Sequence, residues 1–160
     1  MPRATLSFIP GKRWQLSLTA GRYSQVAADE YIVRSGKSLP QATADHAILS
    51  LQYSTPMTLL RIEPYYKRYR HLPLLANGIY TADGYGTSRG LDVFLENHSL
   101  VKNLTTTLSY SFCDAERLYL GYIRLRMPEY ASRHNLRLTA KYGIGKLTFG
   151  LADSYANKRK

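Results

Sequence analysis

The sequence has 160 residues, of which 44% are apolar and 21% charged, so it is long enough for one ordinary domain and too apolar for a disordered chain. Its net charge of +11 is typical of proteins that meet nucleic acid, an anionic membrane surface or an acidic ligand, unless the cations only solvate a rim or lumen. A single cysteine, Cys113, excludes an internal disulfide framework and a cysteine-cluster metal site.

The first ten residues contain no apolar signal core before Pro10, so we expect no signal peptide. The sequence contains no run of 18 apolar residues, so no transmembrane helix is predicted. Neither observation excludes a membrane β-barrel, because barrel strands have only about 10 residues and alternate apolar with polar positions.

Period-two alternation of apolar and polar residues predicts β-strands along the whole chain. Trp14, Leu16 and Leu18, for example, alternate with Gln15 and Ser17. The eight predicted strands cover about residues 4–8, 14–21, 46–53, 60–67, 90–96, 104–113, 135–142 and 147–152. No segment predicts an amphipathic helix of useful length.

Short and long connections alternate between these strands. Tight turns are predicted at 10–13, 54–57, 99–103 and 143–146, and long connections at about 24–42, 71–85 and 114–132. Alternation alone fits a soluble sandwich as well as a barrel. Tight turns at one end and long loops at the other are typical of outer-membrane barrels. Tyr residues near predicted strand ends would form an interfacial girdle: Tyr23, Tyr53, Tyr66, Tyr110 and Tyr142.

Three segments carry a family resemblance. The stretch 84–94, GYGTSRGLDVF, is similar to a barrel segment of TonB-dependent outer-membrane receptors of the Bacteroidetes type, in which a Gly-rich entry leads into a strand of Arg-Gly-aliphatic-acidic-aliphatic pattern. The segments 108–112, LSYSF, and 131–136, ASRHNL, resemble the strands that follow it. The similarity covers about residues 46–156.

The resemblance implies a location in the bacterial outer membrane and a parent receptor that binds and imports a siderophore, vitamin or glycan-type nutrient. Members of this family have a 22-stranded barrel, a plug domain and a TonB box. We find no plug domain or TonB box in this sequence, so residues 1–160 are expected to form a single partial domain from the C-terminal half of the barrel. The implied partners are membrane lipid and lipopolysaccharide, the remainder of the barrel, the plug and, through the plug, the TonB complex.

Seven charged residues have the parity of a barrel lumen and are the candidate site residues. They are Arg61, Glu63, Lys67, Asp92, Glu96, Arg137 and Lys141. In the same orientation Leu91, Val93 and Leu95 would face lipid, and Asp92, Phe94 and Glu96 the interior.

Residue patterns for catalysis, cofactors or metals are not found, so we expect neither an enzyme nor a cofactor. Gly84, Gly86 and Gly90 lack the spacing and the following helix of a phosphate loop and are interpreted as residues of loop re-entry. The four histidines are far apart and no helical pair of them predicts zinc. Asp92 and Glu96 lie about 13 Å apart along a strand, too far for a retaining glycosidase pair.

Two alternatives remain open at this stage. A complete eight-stranded barrel could act as a structural membrane protein or small pore. The segment 65–71, YYKRYRH, interleaves aromatic and basic residues and could bind single-stranded RNA, although we favour a strand leaving the membrane and expect no nucleic acid. Unpaired edges near residues 4–9 and 147–155 would indicate a partial barrel, whereas pairing of those edges would indicate the small closed one.

Overall fold

The computed structural model describes residues 1–36 and 38–157 and contains one antiparallel sheet whose strands follow each other in chain order. The strands are β1 (Arg3–Phe8), β2 (Trp14–Gln25), β3 (Ala42–Ser54), β4 (Thr58–Ala76), β5 (Ile79–Asn97), β6 (Leu104–Leu118), β7 (His134–Ile144) and β8 (Leu147–Asn157), and a helix, α1 (Asp29–Ser35), lies between β2 and β3. The predicted all-β meander of eight strands is therefore confirmed.

The register of the sheet separates polar from apolar side chains, because directly opposed residues of antiparallel strands point to the same side. One continuous row runs through Gln15, Gln52, Arg61, Phe94, Ser109 and Arg137. The neighbouring row, on the other side, runs through Leu16, Leu51, Ile62, Val93, Tyr110 and Leu136. We call these two sides the polar face and the apolar face.

The apolar face is exposed, and no second layer built from residues 1–36 and 38–157 covers it. Among the described residues only Leu39, Tyr80 and Ala115 are buried apolar side chains, while Leu6 is 73% and Leu151 69% exposed. An apolar surface of this extent needs contact with another apolar phase. Such a surface fits a sheet whose outer side meets lipid.

Two details of the apolar face differ from a simple alternation. Tyr53, Tyr66, Tyr110 and Tyr142 lie on it, but Tyr23 follows the parity of Gln15 and lies on the polar face, so its assignment to an aromatic girdle was wrong. In the edge strand β8, Asp153 is opposite Leu138 and thus places a carboxylate on the apolar face.

The predicted tight turns all lie at one end of the sheet, which we call the turn end. The opposite, loop end differs from the prediction. The predicted irregular connection at 71–85 is instead a hairpin, because β4 extends to Ala76 and β5 already begins at Ile79. The two strands are joined by Asn77 and Gly78, which both have positive φ, as is typical of two-residue hairpin turns. Register shifts near Leu72 accompany this extension.

A short helix also occupies the first long connection, where no helix was predicted. Tyr31 of α1 packs against Tyr80 of the β4–β5 hairpin, with ring centroids 4.7 Å apart. Tertiary packing therefore stabilises seven residues that are too few for a helix on their own. None of the helical segments in the described ranges has the length and apolarity to cross a membrane.

The sheet is open. In the described part of the chain β1 pairs only with β2, and β8 only with β7. This is the outcome expected of a partial barrel and not of a closed eight-stranded one.

Candidate functional site

Large side chains from five strands form a cluster on the polar face near the loop end. One row of the register connects Tyr23, Ala44, Tyr69, Gly86 and Arg117. The row below it begins with Arg3, Gly21 and His46. We call Arg3, Tyr23, His46, Tyr69 and Arg117 the mouth cluster.

The first half of the mouth cluster is a stack of cation and rings. The Arg3 guanidinium lies 4.2 Å from the centroid of the Tyr23 ring, within the range of cation–π attraction. The Tyr23 and His46 rings are 4.5 Å apart. Gly21 leaves the space for this stack, since a Cβ there would lie 3.0 Å from Cγ of Arg3.

The second half is built around Arg117. Its guanidinium lies 4.2 Å from the Tyr69 ring centroid, and its Nη1 donates a 2.7 Å hydrogen bond to Oη of Tyr130. Gly86 lies between Tyr69 and Arg117 in the register, and a Cβ there would come within 2.8 Å of Cγ of Arg117. Arg117 Nε is buried and has no hydrogen-bond partner among the described residues. An unpaired buried donor typically costs about 1–3 kcal/mol, which an incoming acceptor would recover.

The connection 119–133 adds further rings and cations beside Arg117. The Tyr119 and Tyr122 rings meet edge to face at 4.9 Å, and the Arg126 guanidinium lies 4.0 Å from the Tyr122 ring centroid. Burial, together with the neighbouring phenols, raises the pKa of Tyr119 above its ordinary value. Like an ordinary phenol, its hydroxyl is protonated at physiological pH and can donate a hydrogen bond.

A cavity of about 320 Å³ lies inside the mouth cluster. Its walls include Tyr23, His46, Tyr69, Leu72 and Arg117. The combination of rings, an apolar side chain and a guanidinium suits an anionic ligand that carries rings.

Glycines of β5 make room for neighbouring side chains within the strand, not for loop re-entry as predicted. Gly84, Gly86 and Gly90 all lie inside β5. At Gly90 a Cβ would lie 2.4 Å from Oη of Tyr65, whose ring covers the glycine. The interpretation as loop re-entry was wrong because β5 begins at Ile79 and already includes the Gly-rich stretch.

The carboxylates of the polar face lie toward the turn end, where they are mixed with cations such as Arg61. In strands β2 to β6, up to the level of Arg117, the polar-face carboxylates are Glu63, Asp92 and Glu96. All three lie nearer the turn end than Lys67 does. In strands β2 to β6 the polar face at the level of the mouth cluster therefore carries Lys67 and Arg117 and no carboxylate.

The seven predicted site residues share the polar face, but only some of them come together. Glu63 is opposite Asp92, and its Oε2 lies 3.6 Å from Nε of Arg61. These three residues and Phe94 line a second cavity of about 200 Å³.

The other four predicted residues lie apart from that group. Glu96 contacts His98 at the turn end, with Oε1 2.8 Å from Nε2. Lys67 lies 4.8 Å from the Tyr65 ring centroid, while Arg137 and Lys141 lie on β7. That the polar face lines a lumen stays a prediction.

The mouth cluster was missed because its members do not share a segment of sequence. Arg117 was placed in a loop at 114–132, although β6 continues to Leu118. The alternation of side chains along β6 could have revealed Arg117, because it continues the polar series of Ser109, Ser111 and Cys113.

The aromatic and basic segment 65–71 is divided between the two faces. Tyr65, Lys67 and Tyr69 follow the polar parity, whereas Tyr66 and Arg68 follow the apolar one. Successive bases would need their stacking partners on one surface, so the segment is not a continuous platform for RNA. Within residues 1–36 and 38–157 no three His, Cys, Asp or Glu side chains are grouped to hold a metal ion.

Comparisons by sequence give no match to any protein-family model or to any curated protein. Solved structures do match. The ferric-catecholate import receptor Fiu from E. coli K12, in its closed form, has a TM-score of 0.74 at 11% identity, over 96% of this chain and 24% of that one. The FrpB iron transporter from Neisseria meningitidis (F3-3 variant) has a TM-score of 0.72 at 12% identity, over 97% of this chain and 26% of that one. The alcaligin outer-membrane receptor FauA from Bordetella pertussis has a TM-score of 0.70 at 18% identity, over 97% and 30%.

These matches are to TonB-dependent receptors, and they confirm the fold that the resemblance implies. The chain has the fold of part of such a receptor and spans between 24% and 30% of the length of these three proteins.

Proposed function

We propose that this chain forms part of the wall of an outer-membrane receptor that binds and imports a nutrient, and that its loop end contributes to binding an anionic, ring-bearing iron chelate. Of the siderophore, vitamin and glycan classes that the resemblance implies, the first fits the mouth cluster best. The names of the similar structures point the same way, since they are a ferric-catecholate receptor, an iron transporter and an alcaligin receptor.

The observation that carries the proposal is the buried, unpartnered Nε of Arg117 beside a cavity with ring walls. A ferric catecholate offers anionic oxygens and flat aromatic rings. Tyr69 and Tyr23 would contact the rings, and Arg117 would donate to an oxygen. A neutral glycan would stack on the rings but would offer no anionic oxygen to the cations of the mouth cluster.

The polar face would then guide the ligand by charge. Arg3, Lys67 and Arg117 would attract the anion to the mouth cluster. Nearer the turn end, two carboxylates, Glu63 and Asp92, outnumber the one cation in their group, Arg61, and would attract it less. Binding at the mouth would thus be separate from passage. In the parent receptor, passage would depend on a plug domain and, through it, on the TonB complex. The chain's own contribution is binding and positioning and not catalysis.

The outer side of the sheet would lie in the bacterial outer membrane. Its exposed leucines and aromatic residues would contact lipid chains, and the loop end would meet lipopolysaccharide. Lipid is therefore a partner in this proposal together with the remaining barrel strands, which would pair with β1 and β8.

A binding titration tests the ligand. The full chain is refolded in detergent micelles, and a synthetic ferric tris-catecholate is titrated while quenching of intrinsic fluorescence is recorded. We expect Arg117→Gln to weaken binding by about tenfold or more, since hydrogen bonds to charged groups typically contribute about 1.5–3 kcal/mol. Arg137→Gln is the matched control, because it removes the same charge from the same face on β7. Equal losses in both variants would mean that general charge, not the mouth cluster, binds the chelate.

Specificity for the chelate is tested by a second ligand. A neutral oligosaccharide of similar size should bind at least tenfold more weakly than the chelate and be insensitive to Arg117→Gln. Tighter binding of the oligosaccharide would assign the cavity to a glycan.

A further inference from the structure

A band of arginines lies on the outer side of the sheet, where the apolar face ends toward the loop end. One row of the register connects Arg22, Asp45 and Arg68 on three successive strands. Arg22 binds Asp45 through two hydrogen bonds, at 2.6 Å from Nε and 3.2 Å from Nη2. Arg70, two residues beyond Arg68, reaches the same carboxylate at 3.3 Å. Two guanidinium groups thus bind one carboxylate, and Arg68 lies opposite it in the register.

The same arrangement recurs one row nearer the turn end. Arg89 Nη2 lies 3.0 Å from Oδ2 of Asp114, and Arg133 Nη2 lies 3.0 Å from Oδ1 of the same residue. Arg89 remains 72% exposed despite this pair. Two guanidinium groups here share one carboxylate.

The band carries excess positive charge. The band contains three carboxylates, Asp45, Asp114 and Glu116, of which Glu116 lies opposite Thr87 in the same row as Arg68. Its five arginines are Arg22, Arg68, Arg70, Arg89 and Arg133. Even with all three carboxylates ionised, two positive charges are left over. Arg68 forms no ion pair with any described residue.

The band is continuous with the apolar face. The row of Arg89 includes Ala20, Ala47 and Tyr66, and the rows below it are mostly apolar. In a membrane the level directly above the apolar side chains is that of the lipid headgroups. A ligand with both phosphate groups and hydrocarbon chains could contact the band and the apolar face at once.

We propose that this arginine band binds the phosphate groups of a phosphorylated lipid of the surrounding leaflet. The inference rests on the proposed membrane location and adds the site and its ligand chemistry. Guanidinium groups bind phosphate oxygens in pairs of parallel hydrogen bonds. Asp45 and Asp114 hold four of the five arginines in place without neutralising the band, and the lipid chains would lie along Tyr66 and the leucines below.

Lipid binding to the full chain tests the proposal. The chain is refolded in neutral detergent micelles, and native mass spectrometry counts bound copies of a bisphosphorylated, acylated glucosamine disaccharide and of its dephosphorylated form. The variant combines Arg68→Gln, Arg70→Gln and Arg89→Gln. Because each basic residue near a membrane surface contributes about fivefold in affinity, we expect the three together to weaken binding by about a hundredfold. The control combines Arg61→Gln, Arg137→Gln and Lys141→Gln, which remove the same charge from the polar face.

The outcomes separate this proposal from the proposed function. Loss of the phosphorylated lipid in the band variant alone supports it. Equal binding of both lipid forms, or equal losses in both variants, overturns the phosphate site and leaves the receptor proposal intact. Displacement of the lipid by equimolar inorganic pyrophosphate would mean that a free anion is the ligand, which also overturns it. Insertion of the wild-type chain into neutral lipid vesicles is measured separately. Failure to insert would refute the membrane location, and the lipid site with it.

Discussion

Gly90 offers a direct test of how the polar face is packed. It lies in the middle of β5, opposite Tyr65 on one side and Cys113 on the other. Its φ is not in the left-handed region, so the backbone itself would accept an alanine. Any cost of Gly90→Ala must therefore come from the space around the new methyl group.

That space is already filled. The added Cβ would lie 2.2 Å from the backbone oxygen of Phe112 and 2.4 Å from Oη of Tyr65, whereas ordinary contacts begin near 3.4 Å. Both neighbours would have to move by about 1 Å. Overpacking of this kind costs typically about 1–3 kcal/mol, and the upper half of that range applies because one neighbour is backbone.

Urea unfolding of the refolded full chain, followed by far-UV circular dichroism, measures this cost. Gly150→Ala is the matched control, since a Cβ at that position of β8 would meet no heavy atom within 4 Å. We expect the control to change the free energy of unfolding by less than about 0.5 kcal/mol. A double-mutant cycle with Tyr65→Ala separates the two contributions to the loss of stability. Removal of the phenol relieves the clash with Tyr65 and leaves the clash with the Phe112 carbonyl. Equal stability of the Gly90→Ala and Gly150→Ala variants would refute the packing argument.

Three further substitutions test other parts of the sheet by the same unfolding measurement. Asp153→Leu removes a carboxylate from the apolar face and should raise the stability in lipid vesicles by about 1–2 kcal/mol; a loss of stability would mean that this position does not face lipid. Gly78→Ala should cost about 1 kcal/mol through its φ of 79° alone, since nothing lies within 4 Å of the added carbon, and no change would contradict the turn geometry. Thr55→Val removes the hydroxyl that accepts hydrogen bonds from the backbone N–H groups of Met57 and Thr58, at 3.3 and 2.9 Å, and should cost about 0.5–1.5 kcal/mol, with Thr55→Ser as the neutral control.

The sequence was sufficient to predict the strands where one face is apolar. Leu16, Leu51 and Val93 alternate with polar residues, and their strands, faces and order in the sheet agree with the prediction. The predicted strands β4, β5 and β6 are too short at the loop end for a physical reason. Beyond the apolar layer both faces meet water, so the period-two signal disappears while the backbone hydrogen bonds continue.

The mouth cluster lies in the region where that signal is lost. Arg117 and Tyr69 are far apart in sequence and meet only through the register across Gly86. The packing of Tyr31 against Tyr80 likewise joins two connections that local patterns treat separately. Long-range pairing of this kind follows from the register of the sheet and cannot be obtained from single segments.

The segment from Tyr65 to Arg70 connects the two proposed sites. Its odd residues, Tyr65 and Tyr69 among them, contribute to the polar face, and its even residues, Arg68 and Arg70, to the arginine band on the opposite side. The two functions therefore depend on the register of β4. A slip by one residue would place Arg68 and Arg70 beside Arg117 and the rings of Tyr65 and Tyr69 among the lipid headgroups, exchanging the surfaces. Because the apolar residues Leu60 and Ile62 of the same strand would then face the polar side, the cost of their misplacement keeps both sites in register.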